Sequence, residues 1–202
     1  MRSRVGVIGL GSMGFGIARN LVKAGFEVWV YDAKPEPVQQ LVAEGARAAV
    51  SARELGERGD FIFSVLLNFP QIVKAVMGEE GVLAGMRPEG VLLICSTISP
   101  AEVRTIGSAA AARGVRLLDA PMSGGVRGST AGTLAFMLAG DPEVFEAARP
   151  VLEAVGKNLY FCGNGLGDGQ TMKMINQLLF RRASWPWRRL LSWPRNPAWT
   201  YR

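Results

Sequence analysis

Chemistry in this chain has to proceed without imidazole, because its 202 residues include no histidine. Serine hydrolase triads, cysteine–histidine pairs and histidine-bound zinc are therefore excluded. Among the groups that remain, Lys173 follows a glycine-rich stretch and lies three residues before Asn176. That spacing places both side chains on one face of a helix. A lysine with a lowered pKa could act as a general base, whereas most lysines are simply solvated, and the spacing leaves both readings open.

A second group of polar residues follows an apolar run that predicts a buried strand over residues 115–119. Asp119 ends this run, and Ser123, Gly124 and Gly125 come shortly after it. A serine hydroxyl and the free backbone N–H groups of paired glycines could hold a substrate carboxylate. The same glycines could equally form an ordinary tight turn.

Glycines near the start of the chain follow the G-x-G-x-x-G pattern, between a predicted strand over 5–8 and a predicted helix over 13–24. In that context the first glycine makes a tight turn, the second lets the backbone approach a pyrophosphate, and the third permits close helix–strand packing. Free N–H groups at the start of the helix then face the anion. The residues assigned to this cofactor-binding turn are Gly9, Leu10, Gly11, Ser12, Met13 and Gly14.

An acidic residue is expected at the end of the second strand of such a unit, where it accepts hydrogen bonds from ribose hydroxyls. Asp32 lies at this place, directly after the predicted strand over 26–31. Its carboxylate would repel the 2′-phosphate of NADP, which favours NAD as the cofactor. Lys34, two residues further on, leaves NADP as the alternative.

Two further loops follow predicted strands and could line the same site, because open α/β sheets bind ligands at the carboxyl ends of their strands. Leu66, Leu67 and Asn68 end one strand, and Asn68 could contact the ribose or simply begin the next helix. In the other loop, Ser99 followed by proline is typical of a helix N-cap. Ser96 and Thr97 are then free to face the cofactor.

Strands and helices alternate along most of the chain, which predicts an α/β fold with a Rossmann-like, doubly wound and mainly parallel sheet. The predicted strands cover residues 5–8, 26–31, 46–50, 61–66, 91–95, 115–119, 133–139 and 158–162. Helices are predicted at 13–24, 35–43, 51–57, 70–77, 100–112 and 142–154. We expect a dinucleotide-binding domain over 1–165, the start of a long helix over 166–180, and a tail of different character over 181–202.

The composition is that of a globular protein, with 49% apolar and 20% charged residues. No run reaches the roughly 18 apolar residues of a membrane-spanning helix, and the glycine-rich start has no cleavage site typical of a secretory signal. Cys95 and Cys162 both lie in apolar runs, as expected of thiols in a reducing compartment. We therefore expect a cytoplasmic protein that holds no metal and binds neither membrane nor nucleic acid.

Together these segments, from residue 4 to about residue 179, resemble the β-hydroxyacid dehydrogenase family. The family's substrate signature D-x-x-x-S-G-G matches residues 119–125, with Met122 where valine is common. Its G-x-x-x-K-x-x-N motif matches Gly169, Lys173 and Asn176. The resemblance implies an NAD(P)-dependent oxidoreductase that transfers hydride between nicotinamide and a small 3-hydroxy acid or its semialdehyde.

The same resemblance implies a role for each motif residue. Lys173 would take the proton of the substrate's 3-hydroxyl group, or return a proton to a semialdehyde in the reverse direction. Ser123, Gly124 and Gly125 would hold the substrate carboxylate. Asn176 would orient the substrate beside the lysine.

Members of the family continue from the lysine helix into an all-helical domain that covers the active site and forms the dimer, so a homo-oligomer is expected for an intact member. That domain is not recognisable in this sequence. Residues 181–202 instead hold four of the five tryptophans and six arginines, without an acidic residue. These six arginines account for the whole net charge of +6, so the basic character belongs to the tail alone.

The composition of the tail indicates a shifted reading frame. Tryptophan has the single codon TGG, so a frame that starts two bases later gives Leu, Met or Val at each tryptophan. In each Trp-Pro pair, the proline becomes alanine. Trp185, Pro186 and Trp187 then become an apolar residue, alanine and a second apolar residue, which suits a helix. We predict that a frameshift interrupts the coding sequence of a longer enzyme.

A short chain of this kind should have little dehydrogenase activity and should tend to associate, because the lysine helix loses its packing partner. One alternative is a catalytically inactive NAD-binding or interaction module. Another is that the Arg- and Trp-rich tail binds nucleic acid or a membrane surface.

Overall fold

The computed structural model describes the backbone of residues 3–184 and the side chains of residues 3–179. Within these residues a single sheet has the strand order β3-β2-β1-β4-β5-β6-β8-β7, with β9 beside β8. Its strands are β1 (Arg4–Ile8), β2 (Glu27–Tyr31), β3 (Arg47–Ala48), β4 (Phe61–Ser64), β5 (Val91–Ile94), β6 (Arg116–Asp119), β7 (Met122–Ser123), β8 (Leu134–Gly140) and β9 (Gly156–Gly163).

Helices connect most of these strands. They are α1 (Gly14–Lys23), α2 (Pro35–Ala43), α3 (Ala52–Arg58), α4 (Phe69–Ile72), α5 (Val82–Gly85), α6 (Pro100–Ala111), α7 (Gly125–Ala131), α8 (Pro142–Glu153) and α9 (Asp168–Ser184). A π-helical turn, Val73–Met77, extends α4, so the helix predicted over 70–77 is present with a change of winding in its second half.

The strands from β3 to β6 run parallel, and the order in which the chain visits them defines the fold. The chain moves outward from β1 to β3 and then crosses to β4 on the opposite side of β1. This reversal between β1 and β4 is the switch point of a Rossmann sheet, outside which such proteins bind their ligands. The predicted fold class is confirmed.

Apolar side chains cover both faces of the sheet, because each strand directs alternate residues to opposite sides. Phe63 and Leu93 belong to a core cluster shared with α1 and α8. Their neighbours Ile62 and Leu92 belong to a second cluster shared with α3 and α6. Strands buried on both faces explain the continuous apolar runs of the sequence.

The last part of the sheet departs from the parallel pattern. Strand β8 runs antiparallel to β6, where Asp119 lies opposite Ala139. It is also antiparallel to the short strand β7, where Met122 lies opposite Phe136. The sequence did not predict β7, because two residues are too few for a periodic pattern.

Helix α7 was likewise not predicted, because its sequence GVRGSTA has poor helix propensity. Packing on α1 compensates for this. The hydroxyl of Ser129 donates a hydrogen bond to the carbonyl oxygen of Met13, and the Asn20 amide donates one of 2.7 Å to the carbonyl oxygen of Ser129. Gly16 allows this contact, since a Cβ on it would overlap the Ser129 hydroxyl.

The backbone of α9 continues to Ser184, four residues beyond the boundary predicted at 180. The tail's tryptophans and the side chains of its arginines lie outside the described residues, so the frameshift stays a prediction. None of the described helices is both long enough and apolar enough to cross a membrane.

Candidate cofactor and substrate site

The glycine turn connects β1 to α1, and its three glycines meet different surroundings. Gly9 has a φ of 88°, and a Cβ on it would lie 2.5 Å from the carbonyl oxygen of Val65. A Cβ on Gly14 would overlap the carbonyl oxygen of Gly9. A Cβ on Gly11, in contrast, would meet no described atom within 4 Å. The fold itself therefore needs Gly9 and Gly14, whereas the open space at Gly11 fits the approach of a pyrophosphate.

The other three residues of the turn differ in exposure. Leu10 is buried in the core, whereas Ser12 is exposed and Met13 is half-buried at the start of α1. At this helix N-terminus, the polar groups of Gly11 and Ser12 are therefore accessible to a ligand. Such a position suits an anion.

Asp32 holds the glycine turn in place through its carboxylate. One carboxylate oxygen accepts a hydrogen bond of 2.6 Å from the N–H of Leu10, and the other accepts one of 2.9 Å from the N–H of Lys34. Each oxygen retains a free lone pair, and the side chain is half-exposed. The carboxylate can therefore still accept hydrogen bonds from ribose hydroxyls while it braces the turn.

The loops after β4 and β5 are bonded to each other. The hydroxyl of Ser96 donates a hydrogen bond of 2.6 Å to the carbonyl oxygen of Leu66. Leu67 in the loop after β4 has 81% of its surface exposed. The Asn68 side chain accepts a hydrogen bond of 3.0 Å from the N–H of Gln71 and thus begins α4.

Lys173 is buried on α9, with only 8% of its surface exposed. Its Nζ donates a hydrogen bond of 2.6 Å to the carbonyl oxygen of Met122. Among the described residues no carboxylate forms an ion pair with it, and burial lowers its pKa. A buried amine in this state can exchange a proton with a bound alcohol or aldehyde.

The proposed substrate residues come directly after Met122, the residue that Lys173 contacts. Ser123 follows Met122 directly and is half-buried. Gly124 and Gly125 have φ values of 125° and 58°, which a residue with a side chain rarely adopts. Both glycines are exposed, and Asn176 is half-exposed one turn beyond Lys173 on α9. The structure thus brings Lys173 beside the serine–glycine loop, which the sequence could not show.

Asp119 is fully buried and caps the start of α9. Its Oδ2 accepts hydrogen bonds of 3.1 Å from the N–H groups of Gly167 and Gln170, and its Oδ1 accepts one of 2.9 Å from the Gln170 side chain. Burial raises the pKa of Asp119 to about 6, although these N–H groups act in the opposite direction.

Gln170 is a site residue that none of the sequence motifs indicated. It is fully buried and lies three residues before Lys173. The available signal was a polar residue at the start of the helix that carries Lys173. Nothing in the sequence identifies the partners of this residue.

Neither Cys95 nor Cys162 is suited to thiol chemistry. Burial raises the pKa of the Cys95 thiol, and the same effect acts on Cys162, so neither favours the reactive thiolate. Across residues 3–179, no three histidine, cysteine, aspartate or glutamate side chains are grouped so that they could hold a metal ion.

The reversal of the sheet, the open glycine turn and Asp32 define the class as a Rossmann-type dinucleotide-binding domain. The sequence pattern of the NAD binding domain of 6-phosphogluconate dehydrogenase matches residues 4–163. The chain belongs to this family and, within it, to the β-hydroxyacid dehydrogenases.

Similar proteins agree with this assignment. 3-Hydroxyisobutyrate dehydrogenase of Pseudomonas aeruginosa is 43% identical over 175 residues, covering 87% of this chain and 58% of the relative. L-Threonate dehydrogenase of Cupriavidus necator is 36% identical over 179 residues, covering 89% of this chain and 60% of the relative. The crystal structure of 3-hydroxyisobutyrate dehydrogenase from Salmonella typhimurium superposes with a TM-score of 0.83 at 38% identity, covering 88% of this chain and 62% of that one. The chain thus spans about three fifths of the length of these relatives.

Proposed function

We propose that the chain acts in an NAD-dependent 3-hydroxyacid dehydrogenase, which transfers hydride between nicotinamide and a small 3-hydroxy acid or its semialdehyde. The observation that carries the proposal is the buried amine of Lys173, 2.6 Å from the Met122 carbonyl oxygen and beside the serine–glycine loop. Oxidation of an alcohol requires a group that removes the hydroxyl proton. Bound NAD supplies the acceptor for the hydride.

Lys173 carries the proton in this proposal. Its hydrogen bond to the Met122 carbonyl oxygen uses one N–H and leaves the lone pair of the neutral amine free to accept the substrate's hydroxyl proton. The lowered pKa favours this neutral form. In the reducing direction the protonated amine returns the proton to the aldehyde oxygen.

The substrate carboxylate binds at Ser123, Gly124 and Gly125 in the proposed arrangement. Ser123 supplies a hydroxyl group for this purpose. Gly124 and Gly125 are exposed and have positive φ values, so their backbone N–H groups can contribute as well. Asn176 orients the substrate from the same helix as Lys173, because residues three apart share a helix face.

The cofactor binds along the switch point, with its pyrophosphate at the glycine turn and its adenosine ribose at Asp32. Thr97 faces the nicotinamide end, and the loop after β4 lines the crevice. The proposed contacts are Gly9, Leu10, Gly11, Ser12, Met13, Gly14, Asp32, Leu66, Leu67, Asn68 and Thr97. A carboxylate at the ribose favours NAD, and NADP is the alternative that the affinity measurements below decide.

The test combines cofactor titration with turnover. NAD and NADP are titrated into the 202-residue chain, and NADH formation is followed by its absorbance with 3-hydroxyisobutyrate, L-serine and L-threonate, the substrates for which relatives are named. We expect NAD binding and slow turnover, which Lys173→Met lowers about 100-fold or more. Lys157→Met, at an exposed lysine on β9, is the matched control and leaves both unchanged.

Two outcomes contradict the proposal in different ways. NAD binding without turnover on any hydroxy acid favours the inactive NAD-binding module. Absence of binding to either nucleotide removes the cofactor assignment itself.

The proposal includes a reducing, cytoplasmic setting and a homo-oligomeric enzyme, without a nucleic-acid or membrane partner. Two free cysteines support the first point. Exposed apolar side chains on α9 support self-association. Sedimentation of the chain at several concentrations tests the oligomeric state.

A further inference from the structure

The side chain of Gln170 forms three hydrogen bonds, two to the loop after β5 and one to Asp119 at the end of β6. Its Nε2 donates hydrogen bonds of 3.0 Å to the carbonyl oxygen of Ser96 and 2.9 Å to Oδ1 of Asp119. Its Oε1 accepts one of 3.1 Å from the N–H of Ile98. An amide is costly to bury unless such partners are present, so packing alone would favour an apolar residue here.

Two of these bonds enclose Thr97. Ser96 and Ile98 are its neighbours in the chain, so the peptide groups on both sides of Thr97 are bonded to one amide. Thr97 itself is exposed at the tip of the loop after β5. Gln170 therefore sets how this loop stands relative to α9.

The third bond reaches the substrate side. Asp119 begins the segment that runs to Ser123, and Met122 within it accepts the hydrogen bond of Lys173. Lys173 follows Gln170 by three residues and so lies on the same face of α9. One amide thus connects the loop assigned to the cofactor, the segment assigned to the substrate, and the helix of the proton-transfer group.

We propose that Gln170 is a positioning residue for the reaction, which holds Lys173 and the Thr97 loop in one fixed relation. The inference rests on the function proposed above. Gln170 acts through Lys173 and Thr97 and contacts neither substrate nor cofactor itself. Without Gln170, Lys173 and the Thr97 loop no longer hold one fixed position relative to each other. Hydride transfer and proton transfer require both positions at the same time.

The test uses two variants of the 202-residue chain and a control. Gln170→Met keeps the size of the side chain and removes all three hydrogen bonds. Gln170→Glu keeps an acceptor for Ile98 but places a carboxylate against Asp119 and the Ser96 carbonyl oxygen. Gln40→Met replaces an exposed glutamine on α2 and is the control.

Two local readouts separate positioning from overall stability. The pH midpoint of Lys173 acylation, read by mass spectrometry, should move in both variants toward the ordinary lysine value of 10.5, because water reaches the amine. Hydrogen exchange at the Ile98 amide should accelerate about tenfold in Gln170→Met, because its acceptor is lost. The control should match the wild type in both.

A third readout addresses the cofactor. Both variants should bind ADP-ribose, which lacks nicotinamide, as tightly as the wild type does, whereas their affinity for NAD should fall toward that for ADP-ribose. Unchanged acylation and Ile98 exchange in the variants would overturn the proposal. So would faster exchange throughout the chain with equal loss of both affinities, since that indicates a role in stability only.

Two further outcomes keep the proposals distinguishable. If neither variant folds, hydrogen exchange of the wild type decides. The Ile98 and Gln170 amides should then open together, with an opening free energy below that of global unfolding. Independent opening of the two amides rejects the proposed connection. If the wild type does not bind ADP-ribose, the proposed function fails, while acylation and exchange still decide the role of Gln170.

Discussion

The Nζ atom of Lys173 lies 2.6 Å from the carbonyl oxygen of Met122, a residue 51 positions earlier in the chain. A carbonyl oxygen orients the amine without the charge of a carboxylate, which would hold the lysine protonated. Burial then lowers the pKa of Lys173. The contact places the amine near Ser123, and the lowered pKa brings it closer to the neutral form that a general base requires.

The three glycines of the turn should respond differently to alanine. Gly11→Ala should change the free energy of unfolding by no more than about 0.5 kcal/mol, because no described atom lies near the added methyl group. It should nevertheless weaken NAD binding about tenfold or more, since the methyl group occupies the approach of the pyrophosphate.

Gly14→Ala provides the contrast. Its methyl group would overlap the Gly9 carbonyl oxygen, so the variant should lose about 2 kcal/mol or more of stability. Urea unfolding and NAD titration of both variants check the pair. Equal destabilisation, or full NAD affinity in Gly11→Ala, would contradict the assigned roles.

Asp119→Asn should destabilise the fold by about 1–3 kcal/mol. The asparagine oxygen can face the N–H groups of Gly167 and Gln170, but its NH2 group then meets the Gln170 Nε2 donor. A flip of the Gln170 amide only transfers the mismatch to the backbone groups that it contacts. Urea unfolding at neutral pH measures the loss.

Asp141→Asn is the matched control for this substitution. Asp141 accepts one hydrogen bond of 2.8 Å from the N–H of Glu143 at the exposed start of α8. Asparagine caps helices as well as aspartate does, so this variant should be nearly neutral. A loss in Asp141→Asn as large as that in Asp119→Asn would argue against the buried mismatch.

The stability contributed by Asp119 should decrease as the pH rises. Its pKa is about 6 in the native state against an ordinary 3.8, so the native state binds this proton more tightly than the unfolded chain does. The contribution therefore falls by up to about 3 kcal/mol as the pH rises from about 4 to about 6, and is constant above that range.

The measurement is the difference in unfolding free energy between wild type and Asp119→Asn across this pH range. Subtraction removes the effect of Asp60, where burial acts to raise the pKa but hydrogen bonds from Arg4 hold it below its ordinary value. A difference that grows with pH would show that the hydrogen bonds on Asp119 outweigh its burial.

The apolar face of α9 should drive association of the 202-residue chain. Leu178 is 67% exposed on this helix, and Leu179 beside it is also exposed. Leu178→Glu should weaken self-association at least about tenfold, because it replaces a leucine that the contact between copies would bury with a charged side chain. Val50→Glu, at an exposed valine after β3, is the control and should leave association unchanged. Sedimentation velocity at several concentrations provides the comparison.

The shifted reading frame is tested on the gene. Sequencing through codons 175–202 and beyond should reveal a second frame that stays open and encodes an apolar helical continuation of α9. A frame that closes within a few codons would make the 202-residue chain the true product. The inactive NAD-binding module would then be the better hypothesis.

Local patterns were enough to predict much of this protein. The sequence from Val5 to Asp32 predicted a strand, a glycine turn, a helix and a second strand ending in an acid, because each feature depends on neighbouring residues. Apolar runs predicted strands buried on both faces and hence the parallel sheet. The spacing of Lys173 and Asn176 predicted that both lie on one helix, and both lie on α9.

Only the tertiary structure decided how these pieces act on one another. In the folded chain a sequence with poor helix propensity is helical in α7, and β8 runs antiparallel to β6. The tertiary structure also joins Gln170 to Ser96 and Asp119 across 74 and 51 residues. The reason is physical: periodicity and turn residues report local conformation, whereas burial and hydrogen bonding of a polar side chain depend on partners that chain folding brings close. The partners that position Lys173 are of this second kind.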